Sequence, residues 1–156
     1  MDPELILRWL HVLGAAVLFG TGAGIAFFMM MAHRTRDVRL VAGTTRIVVV
    51  ADMAFTATAV VAQPLTGWLL ARQTGWSLTE GWILASLALY VLTGACWLPV
   101  VRIQIVLRDL AAEAARKGTA LPARYHRLYR LWFALGIPAF AAVLAIMWLM
   151  VARPEF

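Results

Sequence analysis

The chain has 156 residues, 63% of them apolar and 14% charged, with a net charge of +6 and a mean hydropathy of +0.81. A soluble domain is about 45–50% apolar and about 25% charged, so a soluble globular enzyme, a disordered tail and a secreted disulfide scaffold are all excluded. The single cysteine, Cys96, rules out an intrachain disulfide.

The excess of apolar surface has to face lipid, which predicts one small polytopic membrane domain. The basic balance does not point to nucleic acid. Thirteen of the fourteen basic residues are arginines, and most of them flank apolar runs, where they orient a membrane protein. Four apolar stretches, each near the roughly 20 residues a span needs, predict an all-α, four-transmembrane-helix bundle.

The first span runs over residues 5–32. Its apolar run is longer than the roughly 7–15 residues of a signal core, and Asp2 and Glu4 stand where positive charge belongs, so it reads as a retained helix. Pro3 suits a first turn behind Asp2. His11 lies roughly 9 Å inside the outer end, at about 1.5 Å per residue. Gly14, Ala15, Leu18, Gly22 and Ile25 follow on its face. Imidazole is a common axial ligand of haem iron. The face leaves room for a flat ligand such as a haem edge, with His11 as axial metal ligand and Gly14 and Gly22 as clearance. The competing reading is a histidine hydrogen-bonded to the next helix. Gly20 and Gly24 form a GxxxG pair on the opposite side, suited to tight packing or a homodimer. At the inner end Met29, Met30, Met31 and His33 offer soft ligands for copper(I), or simply apolar filling.

The second span covers residues 47–70. Asp52, Thr56, Ala59, Gln63 and Gly67 share one face. A carboxylate at the centre of a span costs about 2.5–3.5 kcal/mol, so Asp52 is expected to pair with Arg46 or Arg102, or else to carry a proton. The third span covers residues 82–107 and continues as a basic amphipathic helix to about residue 117, with Gly118 as its stop. Ser86, Tyr90, Thr93, Trp97 and Gln104 share a face there. The fourth covers residues 131–151 and holds Gly136 and Pro138. Gln63 and Tyr90 lie near the depth of His11, so the three can form one outer-leaflet site.

Arginine distribution sets the orientation. The connections after the first and third spans carry eleven basic residues, against three on the other side. Both termini are therefore expected outside a bacterial inner membrane, with Trp9, Trp68, Trp76 and Trp82 as an outer aromatic belt. No nucleophile–base pair, HExxH or CxxC pattern supports a hydrolase.

The stretch Leu10-His11-Val12-Leu13, then Phe19-Gly20, then Ala32-His33-Arg34 resembles the first helix of the HemJ family. These are membrane proteins that oxidise protoporphyrinogen and bind haem b through a histidine of that helix. The resemblance places that histidine on His11. HemJ also uses a lysine in a later helix, and the one lysine here is Lys117, in the connection. The CopD membrane domain is similar in outline. Over its whole length the chain resembles a bacterial family of four-helix membrane proteins of unknown function, on Gln63-Pro64-Leu65-Thr66-Gly67 and Trp97-Leu98-Pro99-Val100-Val101 with Gln104.

These readings predict a haem-binding oxidoreductase or electron carrier. Gln63 and Tyr90 would hydrogen-bond near the ligand or a quinone- or porphyrin-like substrate, interfacial arginines would meet propionates, and Asp52 would hold or pass a proton. The alternatives are a transporter or copper-handling protein, and a non-catalytic accessory subunit.

Overall fold

Residues 2–155 are described by the structure, a computed structural model. Four helices make the fold: α1 (Pro3–Thr35), α2 (Val38–Thr74), α3 (Gly81–Lys117) and α4 (Ala123–Ala152), with no strand among the described residues. All four are long and apolar enough to cross a membrane. A helix of 37 residues, the length of α2 and of α3, is about 55 Å long. The hydrocarbon core is about 30 Å thick, so both helices extend past it.

Two helices begin earlier than apolar content alone suggests. Asp37 Oδ1 accepts from the backbone N–H groups of Arg39 (2.9 Å) and Leu40 (3.3 Å), capping α2 nine residues before Ile47. Beyond that cap Val41, Thr45 and Val48 turn inward while Arg39 and Arg46 stay exposed. The arginine-rich stretch is thus the outer stripe of an amphipathic helix rather than a loop. Likewise α4 starts directly after Pro122, with Tyr125 buried in its first turn. The extension of α3 is continuous with its span, as expected, and ends at Gly118 with φ 65°.

The main core sits at the arginine-rich end. Ile25 and Met29 of α1, Val41 and Val48 of α2, Ile103 and Leu107 of α3, and Tyr125 and Trp132 of α4 form one cluster. A smaller cluster of Trp82, Ile83 and Leu149 closes the other end. There Arg153 lies 5.7 Å from the ring centre of Trp76 and 5.8 Å from that of Trp82, and Arg72 lies 5.0 Å from that of Trp68. Such aromatic–cation pairs suit a headgroup level. Between the ends, Val61, Val91 and Val151 are 70%, 71% and 87% exposed, as lipid-facing side chains should be.

The second half of α2 packs on α1, while its first half packs on α3, and α3 and α4 make the most extensive pair. This arrangement produces two separate polar clusters, one between α1 and α2 and one among α2, α3 and α4.

Candidate functional site

The cluster nearer the arginine-rich end is built on Asp52. This residue opens a π-helical turn, Asp52–Thr56, in which the backbone N–H of Ala57 reaches the carbonyl of Asp52. Such turns insert one residue into a helix and often mark functional sites. Both ends of the turn face inward, with Asp52 2% and Thr56 7% exposed. Trp97 Nε1 donates to Asp52 Oδ1 at 3.3 Å. An indole nitrogen can only donate, and this fixes the buried amide of Gln104. Its oxygen accepts from Trp132 Nε1 at 3.2 Å, and its nitrogen donates to Asp52 Oδ2 at 2.9 Å. One hydrogen-bonded network therefore joins α2, α3 and α4.

The expected partners of Asp52 are not its partners. The ion pairs among the described residues are Arg8–Glu4, Arg108–Asp109 and Lys117–Glu113. Arg46 and Arg102 are exposed. Hydration keeps a guanidinium outside, whereas an indole and an amide can follow the carboxylate inward at smaller desolvation cost. The hydroxyl of Thr56 is buried on the same turn. From Trp132, aromatic contacts continue towards the arginine-rich end: Tyr129 lies 5.7 Å away, and it stacks on His33 at 3.8 Å.

The second cluster, between α1 and α2, contains His11 and Gln63. His11 Nδ1 lies 3.0 Å from Thr66 Oγ1. The single hydroxyl proton of Thr66 is donated to the carbonyl of Ala62 at 2.8 Å. With that hydroxyl proton on Ala62, the imidazole donates from Nδ1, and in this tautomer Nε2 keeps its lone pair. Gln63 Nε2 donates to the carbonyl of His11 at 2.8 Å. Glycine permits both contacts. A Cβ on Gly14 would lie 2.3 Å from Gln63 Nε2, and one on Gly67 would lie 3.1 Å from His11 Cε1.

Tyr90 does not join this pair. Its hydroxyl donates to the carbonyl of Val60. That carbonyl would ordinarily accept from the N–H four residues on, but the residue there is Pro64, which has none. Tyr90 therefore repairs a bond that proline breaks. We predict that Tyr90→Phe lowers stability by about 0.6 kcal/mol, the average for interhelical hydrogen bonds in a membrane bundle, and by no more than about 1.7 kcal/mol. Pro64→Ala, which restores the N–H, should remove most of that loss in a double-mutant cycle of reversible unfolding in mixed micelles. An equal cost in both backgrounds would refute this role.

As arranged, the residues of this second cluster do not fit a haem. The free Nε2 of His11 is a suitable donor, because metal-bound histidines characteristically donate their other N–H to a protein group. The clearance expected at Gly14 is filled by the side chain of Gln63, although Gly22 has open space above it. The thioethers near His33 are not gathered either: Met29 is 2% exposed within the core and Met31 is 42% exposed. A Cβ on Gly20 would meet no other element within 4 Å, and one on Gly24 would meet only Phe28 of its own helix, at 4.0 Å. The pair is thus not used for packing inside the bundle.

Sequence reasoning singled out His11, Gln63 and Asp52 by polarity at depth, and the structure brings His11 and Gln63 together. It gave no role to Thr66, Gly67 or Trp132. Pro64 was the legible signal for Tyr90, since a proline inside a helix leaves a carbonyl open four residues earlier.

A family model described as a predicted integral membrane protein (DUF2269) matches residues 5–154. No curated protein and no solved structure matches the chain.

Proposed function

The chain belongs to the DUF2269 family of predicted integral membrane proteins, and from that premise we propose that it handles protons within the membrane, as a transporter-class protein with Asp52 as the proton-binding group. The observation that carries this reading is a buried carboxyl whose donors, Trp97 and Gln104, are both neutral. A fixed arginine would lock the group in its charged form. Neutral donors orient the carboxylate and leave its charge to be balanced by a proton that comes and goes. Thr56 supplies a buried hydroxyl on the same turn, within reach of that carboxyl. Both termini outside, with the arginine-rich end in the cytoplasm, is the orientation that goes with this reading.

The test is reconstitution of the full chain into liposomes holding a pH-sensitive dye, with a potassium diffusion potential to drive protons. The wild type should carry protons faster than empty vesicles, and Asp52→Asn should fall to the empty-vesicle rate. Infrared difference spectra of the same samples should show a protonated-carboxyl band that titrates and is missing in Asp52→Asn. Flux in the variant equal to the wild type, with no titrating band, would end the proposal.

The haem reading is a second one, favoured by the free Nε2 of His11. It requires Gln63 to leave Gly14. Protein from haem-replete cells should then show a Soret band that is lost in His11→Ala, and a colourless wild type would exclude it.

A further inference from the structure

A cavity of about 620 Å³ opens at the arginine-rich end, lined by His33, Arg34, Arg36, Val38, Leu121 and His126, with Ala120 at its edge. It sits where α1 ends, α2 begins and the link into α4 passes. Two of its side chains are arginines and two are histidines, and none of the ion pairs among the described residues involves them. A second cavity nearby, lined by Arg46, Arg108 and Asp109 among others, differs in this respect, because Arg108 is already neutralised by Asp109. The one carboxylate next to Arg36 in sequence, Asp37, accepts from the backbone N–H groups of Arg39 and Leu40.

Two features indicate a built wall. Arg36 caps α1 in the left-handed region, at φ 58°. Glycine or asparagine is the usual residue there, and another L-residue is held there only at a cost. Keeping arginine places a guanidinium at the rim despite that cost. His33 is fixed by face-to-face stacking on Tyr129 at 3.8 Å, so this wall is set before any ligand arrives.

We propose that this cavity binds a phosphate group. Two guanidiniums offer the planar donor forks that phosphate oxygens accept, two imidazoles each bring an N–H donor, and Val38, Ala120 and Leu121 offer apolar surface for whatever carries the phosphate. The group is supplied either by the headgroup of an anionic lipid at the membrane surface or by a soluble phosphate. The inference is independent of Asp52.

Titration of the purified full chain, in neutral detergent, with fluorescent phosphatidylglycerol tests it, with phosphatidylcholine as the zwitterionic control. Phosphatidylglycerol should bind more tightly. The double variant Arg34→Gln/Arg36→Gln should weaken its binding by roughly thirtyfold, the ratio expected for removing two arginines near an anionic surface. The double variant Arg116→Gln/Arg124→Gln removes the same charge outside the cavity and should weaken it by less than about threefold, since bulk attraction is screened by salt. Inorganic phosphate then separates the sources. Displacement of the lipid by phosphate identifies a soluble phosphate ligand, and failure to displace it identifies the lipid headgroup. Equal losses in the two double variants, or no loss in either, would overturn the site.

Discussion

Replacing Trp132 with alanine is expected to lower the unfolding free energy by about 3–5 kcal/mol, the cost of truncating a large buried aromatic side chain. Two effects add. Trp132 is 5% exposed in the main core, where it packs with Ile103, Leu107 and Tyr125 of the same cluster. Its indole N–H is also the donor that fixes the Gln104 amide, which in turn donates to Asp52. Trp132→Phe separates the two. It keeps most of the apolar volume and removes the N–H, so it should cost about 1–3 kcal/mol, the penalty for a buried group left unpaired. Reversible unfolding in mixed micelles measures both. If the network is as described, Gln104→Leu in the Trp132→Phe background should cost less than Gln104→Leu alone, because the amide there has already lost one partner. Equal costs would show that the indole and amide do not act together. Trp132→Phe should also alter the infrared band assigned to Asp52, which a purely packing role would leave unchanged.

The second large effect is a contrast between glycines on one helix. A Cβ on Gly14 would stand 2.3 Å from Gln63 Nε2, whereas Gly20 has nothing within 4 Å. Gly14→Ala should therefore push the Gln63 side chain aside and break its bond to the His11 carbonyl, costing about 1–3 kcal/mol. Gly20→Ala meets no atom and should be neutral, or stabilising by a fraction of the roughly 1 kcal/mol that separates glycine from alanine in a helix. Thermal unfolding in detergent reads both. The double variant Gly14→Ala/Gln63→Ala removes the obstacle and should recover part of the loss attributed to the clash. Equal effects of alanine at 14 and 20 would mean that Gln63 does not occupy Gly14. The pair of variants also bears on the haem reading, because a macrocycle beside His11 needs the same space.

Much of the fold was legible before any coordinates. An apolar run of about 20 residues has few alternatives to a membrane helix, and each polar residue at depth stands out because burying it there is costly. That is why His11, Asp52, Gln63 and Tyr90 could be singled out. Their partners were less legible. Depth matching set Tyr90 beside His11, yet depth leaves the rotation of one helix against another open. Rotation sends the Tyr90 hydroxyl to the carbonyl left open by Pro64. Helix ends were misjudged for a related reason: arginine interrupts hydropathy without interrupting a helix, so the cap at Asp37 and the buried Tyr125 were read as connection.

The chain's composition and order by themselves determined a four-helix membrane bundle, an arginine-rich end and the small set of polar groups placed within lipid. Hydrophobicity and charge act residue by residue along the sequence, so these properties need no tertiary information. Only the tertiary structure decided that Asp52 meets an indole and an amide instead of an arginine, that Gln63 fills the space beside Gly14, and that two arginines and two histidines converge on one cavity. Those outcomes depend on how helices are rotated and staggered against each other, which close packing among all four settles together.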